Sequence, residues 1–453
     1  MKVAALTPRT IGAALLLACT TRVPLAAELT TTDASTSGTD ISTSGPETTS
    51  STGDEHSLDI PGDVAHEDPV ATALDVLFVV DNSAGMAEAQ LHLAWAMGGF
   101  VDEAVAGGPR SVQVMFTNTE NGNPSCGSDI ANTGTPIATG CNERIARFTS
   151  NGFGEPPRPD ACTLPCPYDL EPVDPFVAFD SQAGTSNVPG DFDTPIELAK
   201  RSLACLLPQG INGCGYEAPL EAMAQALNPG AAWNIGARPF LRDGADLAIV
   251  IVSNESDCSI EDFSMMQDPQ YMNSRPGHDH VEPSSAMCWN AGVSCIGPDR
   301  AGVYSECAPM EGPMHPTWRY VEMLEYQREQ GKRVTMLALT GVPEVDGRAV
   351  DSPWQPISGG LSELVYRDWL PSDIGPSDTE YGKNAPELQF DFGIGPACDG
   401  NLEGLVGTRA LPSPRLIEVC MLLDDGDRLG CCVESICYAP DDALRCLLGV
   451  SAG

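Results

Sequence analysis

The sequence predicts an α/β fold with a doubly wound, mostly parallel sheet and long disulfide-rich insertions. Two apolar runs, at 74–80 and 246–252, show no period-2 alternation, so each is expected to be a strand buried on both faces. Further strands near residues 111 and 334 alternate with helical patterns. Parallel neighbours need a long crossover, usually a helix, so this alternation favours a parallel sheet.

The turn after the first strand is the most informative stretch of the chain. Asp81, Asn82 and Ser83 are short oxygen-bearing residues, and a helical apolar stripe begins at Met86. In an open α/β sheet such a turn lies at the carboxyl edge, where ligands bind. A carboxylate beside a hydroxyl suits Mg²⁺ or Mn²⁺, so we predict a cation site here.

The residues DNSAG after VLFVV resemble the first loop of a von Willebrand factor type A domain. The metal-ion-dependent adhesion site of that family has the pattern Asp-x-Ser-x-Ser; Asp81 and Ser83 match it, whereas Gly85 departs at the third position. DLAIVIVSN resembles a later strand and loop of the family, and the framework resemblance covers residues 68–340. It implies a Rossmann-like domain that binds proteins and is not an enzyme.

The resemblance also implies a ligand set drawn from three loops. Where the family has a Thr and a later Asp, this chain has Ala218 and Asn254. Glu217 is the nearby donor that could replace the Thr, although it could equally be a first-turn helix carboxylate. The implied metal ligands are Asp81, Ser83, Asn254, Glu217 and Glu255. They would hold Mg²⁺, or Mn²⁺ or Ca²⁺, with a partner's acidic side chain completing the coordination; the alternative is a crevice without an ion.

The first 18 residues have the features of a lipoprotein signal peptide. Basic residues precede an apolar stretch at 11–18 that is too short to span a bilayer. LLLAC, ending at Cys19, resembles a bacterial lipobox and implies lipidation of Cys19; an ordinary signal peptide cut near residue 26 is the alternative. Thr20 is not the Asp that retains lipoproteins at the inner membrane. We therefore predict an exported protein held at the outer membrane, on the cell surface, by this lipid alone.

The rest of the chain divides into a stalk and a head. Residues 19–66 are rich in Ser and Thr and poor in large apolar side chains, which predicts a disordered stalk. Residues 67–453 are predicted to form one type A-like domain. Irregular insertions are expected at about 119–193, 259–314 and 341–410, followed by a Cys-rich C-terminal tail.

Cysteine usage supports export. The chain has 17 Cys, and setting Cys19 aside leaves an even set that allows up to eight disulfides. Adjacent Cys431 and Cys432 should bond to different partners, because bridging neighbours strains the geometry. Structural zinc at spacings such as Cys162-x-x-x-Cys166 is the alternative. The predicted disulfide cysteines are Cys126, Cys141, Cys162, Cys166, Cys205, Cys214, Cys258, Cys288, Cys295, Cys307, Cys398, Cys420, Cys431, Cys432, Cys437 and Cys446.

Charge and motifs narrow the function. A net charge of -39 disfavours nucleic acid and anionic membranes as partners. The sequence predicts a lipid-anchored protein-binding or adhesion module, or alternatively a metal-free envelope scaffold acting through its insertions. A metal-dependent or serine hydrolase is a remote third alternative, because no HExxH or G-x-S-x-G motif follows a strand.

A loop with two histidines offers one more metal-site hypothesis. His278 and His280 flank Asp279 in a segment with Pro and Gly. Two histidines could ligate zinc, but the sequence places no third His or Glu for it. We interpret this segment as a solvated loop.

Overall fold

The computed structural model describes residues 72–107, 111–126, 133–149, 156–191, 193–349, 352–400, 408–424, 430–438 and 443–448. The predicted signal peptide, the lipidation site Cys19 and the predicted stalk lie outside these ranges. Within the described ranges, no helix combines the length and the apolar character that crossing a membrane requires.

The strands are numbered in chain order. They are β1 (Ala73–Val80), β2 (Ser111–Asn118), β3 (Val177–Asp180), β4 (Thr185–Ser186), β5 (Asp246–Val252), β6 (Asn273–Ser274), β7 (Val281–Glu282), β8 (Val293–Ile296), β9 (Val303–Pro309), β10 (Val334–Thr340), β11 (Val345–Ala349), β12 (Ser352–Gly359), β13 (Tyr366–Arg367), β14 (Cys398–Asp399), β15 (Arg409–Ala410) and β16 (Cys431–Ser435).

The helices are numbered in the same way. The α-helices are α1 (Ala87–Gly107), α2 (Asp160–Thr163), α3 (Pro195–Leu206), α4 (Pro219–Ala226), α5 (Ala286–Gly292), α6 (Thr317–Glu329), α7 (Pro376–Glu380), α8 (Ala385–Phe392), α9 (Pro414–Met421) and α10 (Arg445–Leu448). Short 3₁₀-helices cover Ile145–Phe148, Ala232–Asn234, Phe263–Gln267, Pro269–Tyr271, Gly360–Glu363 and Pro371–Asp373.

Seven strands form the central sheet in the order β16-β10-β5-β1-β2-β3-β4. The first five of these are parallel, and β3 and β4 add an antiparallel edge. The chain adds β2, β3 and β4 on one side of β1 and then places β5 on the other side of β1. The strand order therefore reverses between β1 and β5, which is where open α/β sheets bind ligands. The predicted α/β character and mostly parallel sheet are confirmed.

Both faces of the sheet are covered, as the unbroken apolar run of β1 predicts. Leu74, Val76, Phe78 and Val80 pack with apolar residues of α1 and α3. Leu77 and Val79 point to the opposite face and pack with residues of α4, α6 and α9. Alternate side chains of a strand project to opposite faces, so this strand requires helices on both sides.

Three strands of the central sheet were not expected from the sequence. The segment 119–193 contributes β3 and β4, and the C-terminal tail contributes β16, the fifth parallel strand. The segment 341–410 contains the β11–β12 hairpin and α8. Apart from this two-strand edge, the described part of segment 119–193 contains only the short helices Ile145–Phe148 and Asp160–Thr163. Its edge strands are four and two residues long, too short for a periodic signal, and the two cysteines at the start of β16 hide its strand character.

Seven disulfides join the described cysteines. They are Cys126–Cys214, Cys141–Cys162, Cys166–Cys205, Cys258–Cys288, Cys295–Cys307, Cys398–Cys437 and Cys420–Cys431. Cys432 is also disulfide-bonded, so Cys431 and Cys432 have different partners. The side chain of Cys446 lies outside the described residues. Cys162 and Cys166 each form a disulfide with a different cysteine, so their thiols are not free to bind zinc as a pair.

A buried ion pair fastens the segment after β5 to two helices. The Nε of Arg415 donates to Asp257 at 2.9 Å, and the two side chains are 1% and 0% exposed. Asp257 also accepts from the hydroxyl of Ser259 at 2.6 Å and from the backbone N–H of Leu220 at the start of α4 at 3.3 Å. Arg415 lies on α9, so one carboxylate connects three elements.

We predict that Arg415→Met lowers the free energy of unfolding by about 3–5 kcal/mol, because it leaves the Asp257 carboxylate buried without its cation. Urea unfolding of the oxidised protein measures the change. The control is Arg238→Gln, which removes an exposed pair with Asp174 and should cost about 1 kcal/mol or less. Equal effects of the two substitutions would contradict the assigned role of the buried pair.

Candidate functional site

The candidate site lies at the carboxyl ends of β1 and β5. The N–H of Asp81 donates to the carbonyl of Val252 at 2.9 Å, which continues the β1–β5 ladder by one residue. The two loops that follow these strands consequently start side by side. The first carries Asp81 and Ser83, and the second carries Ser253 and Asn254.

Asp81 is fully buried and both of its carboxylate oxygens accept hydrogen bonds. Oδ1 accepts from the N–H of Ser83 at 2.7 Å, and Oδ2 accepts from the hydroxyl of Ser253 at 2.7 Å. The Ser83 hydroxyl in turn donates to Oδ1 of Asn254 at 3.4 Å. The two loops are therefore linked through their side chains as well as through the sheet.

The departure at Gly85 has a backbone cause. Gly85 has a φ of +92°, a conformation that side-chain-bearing residues rarely adopt. A Cβ at this position would lie 3.1 Å from Nδ2 of Asn254. A serine here would thus be strained by its backbone and crowded by the neighbouring loop.

Glu217 lies beside this pair of loops and is almost completely buried. Its Oε2 accepts a hydrogen bond from the hydroxyl of Thr119, the residue that follows β2. Its Oε1 has no hydrogen-bond partner among the described residues. Ala218 has no hydroxyl to offer at the position where the type A family has a Thr. Thr119, at the end of β2, instead donates a hydroxyl hydrogen bond to Glu217.

Glu120 adds a further buried carboxyl group. Its Oε1 accepts from the N–H of Cys214 at 2.9 Å, and Cys214 is cross-linked to Cys126. The neighbouring Asn82 side chain also has an unpartnered buried oxygen, Oδ1, within the described part of the chain. Two orphaned oxygen acceptors therefore accompany the carboxylates.

Burial raises the pKa of the carboxyl groups at this edge, and the charge of Asp81 adds to the rise at its neighbours. Burial raises the pKa of Asp81, and it raises the pKa of Glu217 and Glu255 well above the usual value of 4.5. The charge of Asp81 adds to the rise at Glu217 and Glu255. Burial raises the pKa of Glu120 to about 7, although the N–H of Cys214 and the charge of Arg147 act against it. The site is thus a concentration of negative charge that protons or a cation would relieve.

All five sequence-predicted ligand residues converge at this edge. Asp81, Ser83 and Asn254 are connected by hydrogen bonds, and the charge of Asp81 contributes to the raised pKa of Glu217 and of Glu255, after burial. The sequence reasoning missed Thr119, Glu120 and Ser253. Thr119 and Glu120 directly follow β2, and the rule that carboxyl ends of parallel strands meet at one edge would have found them.

The donor set fits a hydrated cation better than a fully coordinated one. Orphaned oxygens of Glu217 and Asn82 are the kind of donors that Mg²⁺ or Ca²⁺ takes. However, no three carboxylates among the described residues here have oxygens within 4.8 Å of one another. A cation at this edge would therefore retain water molecules between itself and some of the carboxylates.

Residues 409–411 cover the loop that follows β5. The N–H of Leu411 donates to the carbonyl of Asn254 at 2.8 Å, and Nδ2 of Asn254 donates to the carbonyl of Arg409 at 3.2 Å. Asp81, Ser83 and Asn254 are all buried.

Comparison with known proteins gives no further assignment, since no protein-family model and no curated protein match the chain.

We predict that Gly85→Ser lowers stability by about 1–3 kcal/mol and does not improve cation binding, because φ is positive and Asn254 is close. Thermal unfolding and cation titration measure the two effects. The matched control is Gly236→Ser, where φ is +101° and no described atom lies within 4 Å of the added Cβ. A gain of stability and affinity in Gly85→Ser alone would contradict the backbone explanation.

We also predict that the cation-free protein loses stability as pH rises from about 4.5 to about 7. Glu120 holds its proton in the folded state throughout this range, whereas the unfolded chain releases it at about 4.5, so folding becomes less favourable with rising pH. The loss from Glu120 is up to about 3 kcal/mol. Thermal unfolding in EDTA across this range measures it.

Glu120→Gln should reduce that pH dependence, and Glu143→Gln, which changes an exposed carboxylate, should not. A pH profile that is identical in wild type and Glu120→Gln would show that this carboxyl group is not the source of the dependence.

Proposed function

We propose that the protein is a lipid-anchored, cell-surface module that binds other proteins, assisted by a divalent cation at the β1–β5 edge. One observation supports it most: Asp81, Glu120, Glu217 and Glu255 are gathered where the strand order reverses, and burial raises all four pKa values. In this proposal the chain resembles a von Willebrand factor type A domain in which Gly85, Ala218 and Asn254 replace three metal ligands. The module binds its partner and performs no catalysis.

The cation would be held by this chain's own oxygen donors. Asp81, Ser83 and Asn254 form the hydrogen-bonded centre, and Glu217 supplies an oxygen that has no described partner. The cation, Mg²⁺, Mn²⁺ or Ca²⁺, would offset the repulsion among the carboxyl groups and attract a partner's Asp or Glu. The residues of this chain position the loops and exclude bulk water from the edge.

The proposed location follows from cysteine usage and the N-terminal residues. Seven described disulfides are consistent with an extracellular protein. The lipobox-like LLLAC supports anchoring through Cys19 to the outer membrane. The acidic surface makes another protein a better partner than nucleic acid.

A metal-free envelope scaffold is the second candidate, and burial of the site favours it. Both Asp81 oxygens already accept hydrogen bonds, and residues 409–411 contact the loop that carries Asn254. A partner carboxylate would have to reach a centre whose residues are 0–8% exposed. In this alternative the disulfide-linked segments make the contacts, and chelators have no effect on binding.

Isothermal titration of Mg²⁺, Mn²⁺ and Ca²⁺ into the oxidised protein tests the proposal. We expect saturable binding that weakens by at least about tenfold in Asp81→Asn, because the substitution removes a carboxylate charge and keeps the side-chain shape. The control is Asp246→Asn, at the opposite end of β5, which should bind as wild type does. Equal binding in both variants, or none in the wild type, would favour the scaffold.

A further inference from the structure

A second set of metal-ligand side chains lies on the hairpin formed by β6 and β7. The two strands pair antiparallel, with Asn273 opposite Glu282. The chain reverses through a turn in which the N–H of His278 donates to the carbonyl of Arg275 at 3.0 Å and Gly277 has a φ of +81°. His278 and His280 lie in the turn between the two strands, and Glu282 lies in β7, two residues beyond His280.

The three side chains meet at one carboxylate oxygen. Nδ1 of His278 and Nε2 of His280 each lie 3.0 Å from Oε1 of Glu282. The three ligand atoms all lie within 4.8 Å of one another. Ligands about 2.0–2.1 Å from a tetrahedral Zn²⁺ are roughly 3.3 Å apart, so small side-chain shifts would place all three around one ion.

Arg275 fixes the carboxylate from its other side. Its Nε lies 3.5 Å from Oε2 of Glu282, and its guanidinium stacks 4.6 Å from the centre of the Phe390 ring. Glu387 lies 4.0 Å from the same guanidinium and offsets part of its charge. Oε1 is thereby directed toward the two imidazoles. Outer partners that orient a ligand in this way strengthen metal sites.

We propose that His278, His280 and Glu282 form a binding site for Zn²⁺. Two imidazoles and one carboxylate form a ligand set that binds Zn²⁺ in preference to Mg²⁺ or Ca²⁺. Three protein ligands leave a fourth position for water or a partner's side chain. His278 binds through Nδ1 and His280 through Nε2, so each carries its proton on the other ring nitrogen. Their side chains are 46% and 69% exposed, which gives the ion a direct route from solvent.

Residues 275–280 form the loop that the sequence predicts, and the structure places beside it a third candidate ligand, Glu282, that the sequence analysis did not identify. Glu282 stands two residues beyond His280 and was overlooked because it lies past the Pro/Gly turn, in the strand that returns from it. The proposal does not depend on the cation site at Asp81, since the two use different residues and donor types.

The test is titration of Zn²⁺ into the oxidised full chain in competition with a chromophoric chelator, with Co²⁺ absorption as a report on coordination geometry. We expect one equivalent of Zn²⁺ whose affinity falls by at least about tenfold in His280→Gln and in Glu282→Gln, since even an outer partner's loss costs about that much. Asp279→Asn is the matched control, because it removes a neighbouring charge without removing a ligand, and Asp81→Asn should also bind Zn²⁺ as wild type does.

Melting temperatures without zinc keep the test interpretable. His280 is exposed, so His280→Gln should melt like the wild type in EDTA, and added Zn²⁺ should raise the melting temperature of the wild type but not that of His280→Gln. Unchanged zinc affinity in both ligand variants, an equal loss in Asp279→Asn, or no saturable binding in the wild type would overturn the proposal.

Discussion

The parallel pairing of β1 with β5 is the constraint on which the candidate site depends. The register runs from Leu74 opposite Asp246 to Val80 opposite Val252, so both strands end at the same level. Apolar side chains on the two faces of these strands pack into two separate clusters, and the close fit of those side chains holds the register. The loops after the strands have no freedom to separate. Asp81 is consequently a neighbour of Ser253 and Asn254, although 172 residues separate it from Ser253 in the sequence.

This arrangement concentrates carboxyl groups where water is scarce, and the surrounding structure opposes their repulsion. Cys126–Cys214 anchors the segment whose N–H binds Glu120, and Cys258, whose N–H donates to the carbonyl of Glu217 at 2.7 Å, is anchored to Cys288. The Asp257–Arg415 pair fastens the same region to α9. Disulfides and a buried ion pair thus surround a group of buried carboxylates whose repulsion is unfavourable without a counter-charge. Such an arrangement is typical of functional sites.

The parts of the fold that the sequence revealed are those with long, uninterrupted signals. The doubly buried β1 and β5 and the helix α1, whose apolar stripe begins at Met86, all have enough residues for a pattern to be recognised. The edge strand β3 has four residues, and β16 gains its stability from pairing with β10 rather than from its composition. Thr119 and Glu120 were missed because they begin a segment without periodicity, although their position directly after the predicted second strand places them at the same sheet edge as Asp81.

The same geometry constrains how a cation could be held. Opposite ligands of an octahedral Mg²⁺ lie about 4.2 Å apart, so three carboxylates whose oxygens do not all come within 4.8 Å of one another cannot all bind it directly. Gly85 has no side chain that could supply the missing hydroxyl, and its backbone conformation disfavours a serine there, whereas Glu217 and Asn82 have oxygens without a partner among the described residues. An ion at this edge would therefore differ from one in an Asp-x-Ser-x-Ser site: it would be held more by charge, through water, and less by a fixed shell of hydroxyl groups. Such a site selects for charge more than for ionic radius, because water adapts to the ion and a rigid set of ligands does not.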